Sequence, residues 1–410
     1  AVLERRMETA AATSYILNAV SRARAIAVPV AVDPEWRVLK VYLPSYADKK
    51  DAATYGVLRQ EWERLAAIDP YFHIPTQVLI GGKIKTTTVI GGWTGLAEHQ
   101  QLAALTKSDG PILRADWFLC QIARPPAYYA WAGVPATQGA FLKSLAIDAD
   151  TLAGLAADSG ANLFRSRITH KSRRIVYRPG PLGGNWFTFD VAKESPERDP
   201  VRNPVDVAGQ KFTFDASEIF AAKSNKFWLT ALFDAAGNRQ DAVPPEIAHD
   251  TTGIDGLVQP LISCIRCHET TGGAGGLQPF ADVQSTLVIG PNTTPEVAAR
   301  IAEFYDPARL AVELTRDAQD YAAAVFKATG GMSTEEIARV LASVYEAHVY
   351  APVTLATAAA EHGLTAEDAQ RLWSVSTDPL LSSLCRGIEI NRAGWESCYH
   401  EAAIRAAVAP

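Results

Sequence analysis

The sequence predicts an α+β fold in which a mixed, β-rich N-terminal part precedes an all-α C-terminal part. Three observations carry this. Residues 160–250 hold aromatic and β-branched runs separated by turn signals, the pattern of an antiparallel sheet. After residue 250 those runs stop, and apolar residues recur at the helical period. At 410 residues the chain is also long for one hydrophobic core. We therefore expect an α+β module over 1–110, a helical segment plus antiparallel β-module over 111–250, and an all-α domain over 251–410.

The elements follow in order. "RRMETAAATSYILNAVSRAR" has helical spacing through Met7, Ala11, Tyr15 and Val20, and "RVLKVYLP" alternates like a strand. "AATYGVLRQEWERLAAIDP" is a helix closed by its Asp-Pro. "TQVLIGGKIKTTTVIGG" reads as a hairpin about Gly81-Gly82. "PILRADWFLCQIAR", "PPAYYAWAGVP" and "GAFLKSLAI" are helical. "RRIVYRP", "NWFTFDVA", "QKFTFD" and "KFWLTALFDAAGNRQD" then supply the strands, with "AKESPERDPVRNP" as an exposed loop. The C-terminal helices are "PEVAARIAEFYD", "PARLAVELTRDAQDYAAAVFKATG", "TEEIARVLASVYEAH", "PVTLATAAAEHG", "TAEDAQRLW" and "AGWESCYHEAAIRAAV". Ser333 or Thr334 with Glu335 and Glu336 suits a helix start, and Gly330-Gly331 suits the preceding helix end.

A net charge of −6 and a pI near 5.8 give no reason to expect nucleic-acid binding. No apolar stretch reaches the roughly 18–20 residues that a membrane span of its own needs. The chain opens "AVLERRMETA" without an initiator Met, so we expect a removed export signal and a periplasmic or extracellular, secreted location.

One stretch carries chemistry. "LISCIRCHETTGGAGG", residues 261–276, contains two of the five cysteines and a histidine directly after the second. Cys-x-x-Cys-His is the attachment sequence of haem c. Two thiols three positions apart on one helical turn each form a thioether with a haem vinyl group, and the adjacent His lies under the iron. Zinc is one rival, held by Cys264, Cys267, Cys385 and Cys398 or with His268 or His400 as a substitute; the wide spacing of Cys385 and Cys398 makes a poor second couple. A thioredoxin-like Cys pair is the other, and it lacks the βαβ context. The reading favours one covalent haem, with Cys264 and Cys267 as its thioether residues and His268 as proximal iron ligand. Haem attachment in turn requires an oxidising compartment. Cys385 and Cys398 there form either a disulfide or two free thiols; Cys120 is a core residue. "TTGGAGG" suits backbone passing close to a porphyrin, and "PNTTP" is a chance glycosylation triplet. The aromatic runs are core, some of them walling the haem.

Nearly end to end, the chain resembles a family of large, mostly uncharacterised, exported monohaem c-type cytochromes of bacteria. The resemblance rests on "YILNAVSRARAIAVPVAVDPEWRVLKVYLPSY", "WERLAAIDPY", "RADWFLCQIARPPAYYAWAGVP", "FTFDASEIFAAKSNKFWLTALFDAAGNRQDAVPPEIAHD" running into "ISCIRCHE", "VYEAHVYAPVTLATAAAEHGL" and "GWESCYHEAA". Similar proteins have a Gly-Gly and an Asn-Gly strand where this chain has "DASEIFAAKSNKFWLT", and the Cys385/Cys398 pair looks like an addition. The resemblance implies export and a cytochrome c-type haem domain over 251–410, and supplies no reaction.

Electron transfer, as part of a larger redox assembly with redox protein partners, is the leading expectation. A peroxidase- or oxygenase-type monohaem enzyme and a non-redox structural subunit are the alternatives. The distal ligand separates carrier from enzyme. Met332 follows His268 at a separation like that of small cytochromes c with a Met ligand; it also suits a hydrophobic staple. His170 in "RSRITHKSRR" is the second candidate, as ligand or as acid–base group beside Arg165, Arg167, Arg173 or Arg174. That cluster reads most simply as a solvated basic strand, or as a partner for haem propionates or an acidic surface. His348, His362 and His400 are weaker candidates; His73, His99 and His249 read as structural.

Overall fold

The structure, a computed structural model, describes residues 2–48, 52–72, 74–80, 83–89, 97–108, 110–147, 159–163, 169–200, 212–250, 256–269 and 293–407. The fold is α+β, as expected. Its axis is α1 (Val2–Val20), in which every residue from Ala10 to Val20 is buried. The helix expected there is present, with Met7 on its exposed N-terminal half. A helix buried all round must satisfy its polar side chains internally. Ser14 Oγ donates to Ala328 O, and Tyr15 OH shares a 2.6 Å hydrogen bond with Tyr321 OH. Asn18 donates to Ser14 O and Ala27 O and accepts from Ala27 N.

The end of α1 is closed from a distance. Buried Lys223 donates through Nζ to Asn18 O, Ala19 O and Ser21 O at 2.9, 2.6 and 3.0 Å, and Asn225 also donates to Asn18 O. Burial pulls the Lys223 ammonium down to about 7. Three carbonyl acceptors at a helix C-terminus act in the opposite sense and hold its proton. "AKSNK" therefore closes the central helix through Lys223 and Asn225.

The expected strand at "RVLKVYLP" shrinks to β2 (Leu39–Lys40), paired with β1 (Val30–Ala31). Helix α2 (Ala52–Ile68) ends before Asp69-Pro70, as read. β3 (Ile74–Ile80) and β4 (Lys83–Val89) form the expected hairpin, its Gly81-Gly82 lying outside the described residues. α3 (Ala97–Thr106), α4 (Ala115–Ile122), α5 (Ala127–Ala132) and α6 (Gln138–Ser144) follow.

The β-module is a five-stranded antiparallel meander, β5 (Ser159–Leu163), β6 (Arg173–Gly180), β7 (Gly183–Asp190), β8 (Ala216–Ala222) and β9 (Trp228–Asp234), paired in chain order. Two strands differ from expectation: β5 matches none of the expected runs, and "QKFTFD" is expected to pair where β8 is formed by "ASEIFAA". Asp215 delays it, since its carboxylate accepts from Ala192 N and pairs with Arg198. Phe212 then lies under the Arg174 guanidinium, and Phe214 packs on Phe189. Trp186, Glu218, Phe220, Thr230 and Leu232 share one face of the sheet by register; Phe187, Ile219, Ala231 and Phe233 share the other. Both faces are buried, Phe233 against Phe141 of α6.

Helix α7 (Ile262–Glu269) opens the C-terminal part, followed by α8 (Pro295–Phe304), α9 (Pro307–Thr329) and α10 (Thr334–Tyr345). Ser333 and Glu336 form a full capping box, and Gly330 ends α9 at φ +74°, as expected. A π-helical turn (Glu346–Tyr350) leads to α11 (Leu355–Glu361), α12 (Ala366–Trp373), α13 (Pro379–Cys385) and α14 (Arg392–Ala407). Helix α13 went unread, although Asp378 caps it and proline occupies its first turn. One hydrophobic core runs from Ala11 to Tyr345, across the expected boundaries at 110 and 250. A second, formed by Val353 to Ala402, gathers around Trp373 and Trp395.

Candidate functional site

The Cys-x-x-Cys-His sequence lies entirely on α7. Cys264 and Cys267 are one helical turn apart, and His268 is one turn beyond Cys264. The start of this helix is strained and firmly held. Leu261 has φ +64°, a conformation that bulky residues rarely adopt. Its N–H donates to Thr230 Oγ1, while Thr230 O accepts from Tyr128 OH and Thr230 N donates to it. Ser263 Oγ accepts from Gln259 N and donates to Leu257 O. Sheet, α5 and the connecting segment together fix where α7 begins.

Cys264 is 8% exposed and faces the sheet. Its thiol lies 3.7 Å from Glu218 Oε1. Glu218 belongs to a buried charge cluster in which Arg173 Nη2 donates to Glu218, Asp190 and Thr188. Burial pushes the Asp190 carboxyl up, against the pull of Arg173. Two cavities flank Cys264, of about 40 Å³ toward Glu218 and Ser263 and about 20 Å³ toward Phe220, Phe227, Trp228 and Tyr321. Both are water-sized and neither admits a porphyrin. The donor set itself, two thiols and an imidazole on one helix, fits haem c. The side chains of Cys267 and His268, and "TTGGAGG" itself, lie outside the described residues.

The remaining candidates are dispersed. Met332 is half-buried against the main core directly before the Ser333 cap, and α10 beyond it packs on α7. His170 is exposed in a turn at φ +54°. The solvated basic strand is corrected: Arg173 is half-buried between two carboxylates and Arg174 is buried on Phe212, whereas Arg165 and Arg167 lie outside the described residues. Cys385 and Cys398 are free thiols of the second core, so the four-thiolate zinc alternative, which needs them beside Cys264, does not assemble. Burial raises both thiols, Cys398 to about 12. Among the described residues no group of three metal-binding side chains converges. Cys120 is buried core, as expected, and burial also raises its thiol. His249 packs over Gly256, and Thr294 of "PNTTP" caps α8. His73 and the side chain of His99 lie outside the described residues.

Sequence reasoning missed a second polar centre, between the two cores. His348, on the π-helical turn, sits 3.4 Å from Asp116 Oδ2 and 3.4 Å from Glu396 Oε1. Burial opposes its charge, but the two carboxylates outweigh that and hold the imidazole above its usual range. Glu361 accepts from Arg392 Nη1 and Trp395 Nε1 at 2.7 Å each and pairs with Arg114 at 2.9 Å. Asp69 accepts from Tyr71 N, and burial pushes it up to about 7. His362 stacks on Tyr399 and meets Trp373 and Trp395 edge-on; burial brings it down to about 4. His400 Nε2 bonds Pro70 O. The available signal was charge set against apolar helix, as in "RADWFLC" and "AAAEHG". No helix among the described residues is long and apolar enough to cross a membrane. No family model, curated protein or solved structure matches the chain.

Proposed function

We propose that this chain is an exported c-type cytochrome that carries one covalent haem and transfers electrons within a larger redox assembly. The observation that carries the reading is the placement of Cys264, Cys267 and His268 within one eight-residue helix. Bound haem supplies one-electron oxidation and reduction at its iron. Cys264 and Cys267 hold the group by thioether bonds, and His268 is the proximal ligand. Thr230 and Tyr128 orient the start of the helix, while Phe220, Phe227, Trp228 and Tyr321 line the small apolar cavity beside Cys264. Arg173 is already neutralised by Asp190 and Glu218, so it is not available to haem propionates. The packing of α10 on α7 supports Met332 over the exposed His170 as distal ligand.

Intact mass tests the attachment. The wild-type chain is expected to carry the mass of one haem, and the Cys264→Ala/Cys267→Ala variant to lose it. Colourless protein with both thiols open to alkylation would overturn the reading. A low-spin, six-coordinate spectrum unmoved by cyanide is expected of the carrier; a cyanide-induced shift would transfer the proposal to a peroxidase-type enzyme.

A further inference from the structure

A trough of about 1230 Å³ opens between α1 and α2 and plays no part in the haem reading. It exceeds the roughly 300–1,000 Å³ of an ordinary small-molecule site, so an elongated occupant suits it. Helix α1 lines it through Val2, Arg5, Thr9 and Thr13, and α2 through Tyr55, Arg59 and Trp62, each at helical spacing. Residues 36–44 form a third wall, and Phe118 contributes to the lining from α4.

Three features point to one kind of ligand. First, the lining leaves large apolar groups in water: Val2 is 65% exposed, Tyr42 64% and Tyr55 38%. Their gathering in one concavity marks a binding surface. Second, Trp36 in the wall has φ +57°, a strained state for an aromatic residue. The Asp33 carboxylate holds that turn by accepting from the N–H groups of Glu35, Arg37 and Val38. Third, among the described residues the charges of the lining do not cancel. Arg37 and Arg59 are neutralised by Asp33 and Glu63, and Arg114 by Asp116. Both lining carboxylates, Glu63 and Asp116, are thereby engaged. The cationic groups of Arg5, Lys40 and Lys107 have no ion-pair or hydrogen-bond partner among the described residues.

We propose that this trough binds a long-chain carboxylate, its alkyl chain along the Trp36, Tyr42 and Tyr55 wall and its head on Lys40 and Lys107. A neutral alcohol of the same length offers the apolar half of that interaction alone, so the head group is the discriminating variable. Calorimetric titration of the full chain with laurate and with dodecanol, both below micelle formation, tests this. One laurate per chain is expected to bind at least ten times more tightly than dodecanol. Lys40→Gln/Lys107→Gln, a surface change, is expected to reduce laurate affinity to that of the alcohol. Trp36→Gly removes the strained aromatic, so its melting temperature is expected to hold or rise while affinity for both ligands falls. Equal binding of laurate and dodecanol, no binding of either, or laurate affinity unchanged in the double variant would overturn the proposal. The readout does not involve haem, so its failure and that of the cytochrome reading are separable.

Discussion

The two larger hydrophobic cores are built on opposite principles. The second core takes all of its buried residues from one stretch, Val353 to Ala402, folded as four short helices. The main core joins segments hundreds of residues apart: Tyr15 meets Tyr321, Ser14 meets Ala328, and Lys223 closes the helix that ends at Val20. Local closure makes the helical unit readable from its caps and spacing. Distant closure buries α1 on every side from Ala10 to Val20, which its helical spacing alone does not reveal. Between the cores stands the ionic centre of Arg114, Asp116, His348, Glu361, Arg392 and Glu396.

The sharpest way to break the comparison is to hollow out one core. Trp373→Ala removes a fully buried indole whose Nε1 donates to Ala402 O. It is expected to cost about 3–5 kcal/mol. Hydrogen exchange should then accelerate over 353–402 while α1 and the sheet stay protected. Equal loss in both regions would show that the cores melt as one. Lys223→Met tests the distant closure, because it strips three carbonyls of a buried donor. We expect a loss of about 1–3 kcal/mol in urea unfolding. Unchanged stability would mean that Asn225 suffices as the cap.

The smallest effect probes the seam. His348 has a folded pKa raised above the unfolded value of 6.5, so its contribution is full below 6.5 and lost as pH rises through the folded value. Asp69, raised from 3.8 to about 7, likewise binds its proton more tightly in the folded state, and stability declines across that interval. The His348 and Asp69 contributions to stability, read from the melting temperature, therefore decline as pH rises from mildly acidic to mildly alkaline, while His362, brought down to about 4, and Lys223, brought down to about 7, contribute in the opposite sense. In His348→Gln the upper part of that decline should flatten while the Asp69 part remains. A slope unchanged above pH 7 in His348→Gln would remove His348 from this role.

Different parts of the molecule were legible to different degrees. The capping box at Ser333, the hairpin of β3 and β4, and the helix carrying Cys264 were readable because each is decided within a few residues. Strand β8 was misplaced because Asp215 bonds Ala192, a distant partner that local alternation does not reveal. The basic strand was misjudged for the same reason: Arg173 looks solvated until Asp190 and Glu218 arrive beside it from neighbouring strands.

By itself the sequence determined most of the helices, the hairpin and the strands β6, β7 and β9, and the one stretch where two thiols and an imidazole share a helical turn. Periodicity, caps and ligand spacing are local properties of a chain. Only the tertiary structure decided that α1 is buried on every side, that His348 stands between two carboxylates, and that a cationic, aromatic trough lies beside α2. Burial and pairing depend on segments distant in sequence, and their energies are set by which groups meet once water has been excluded.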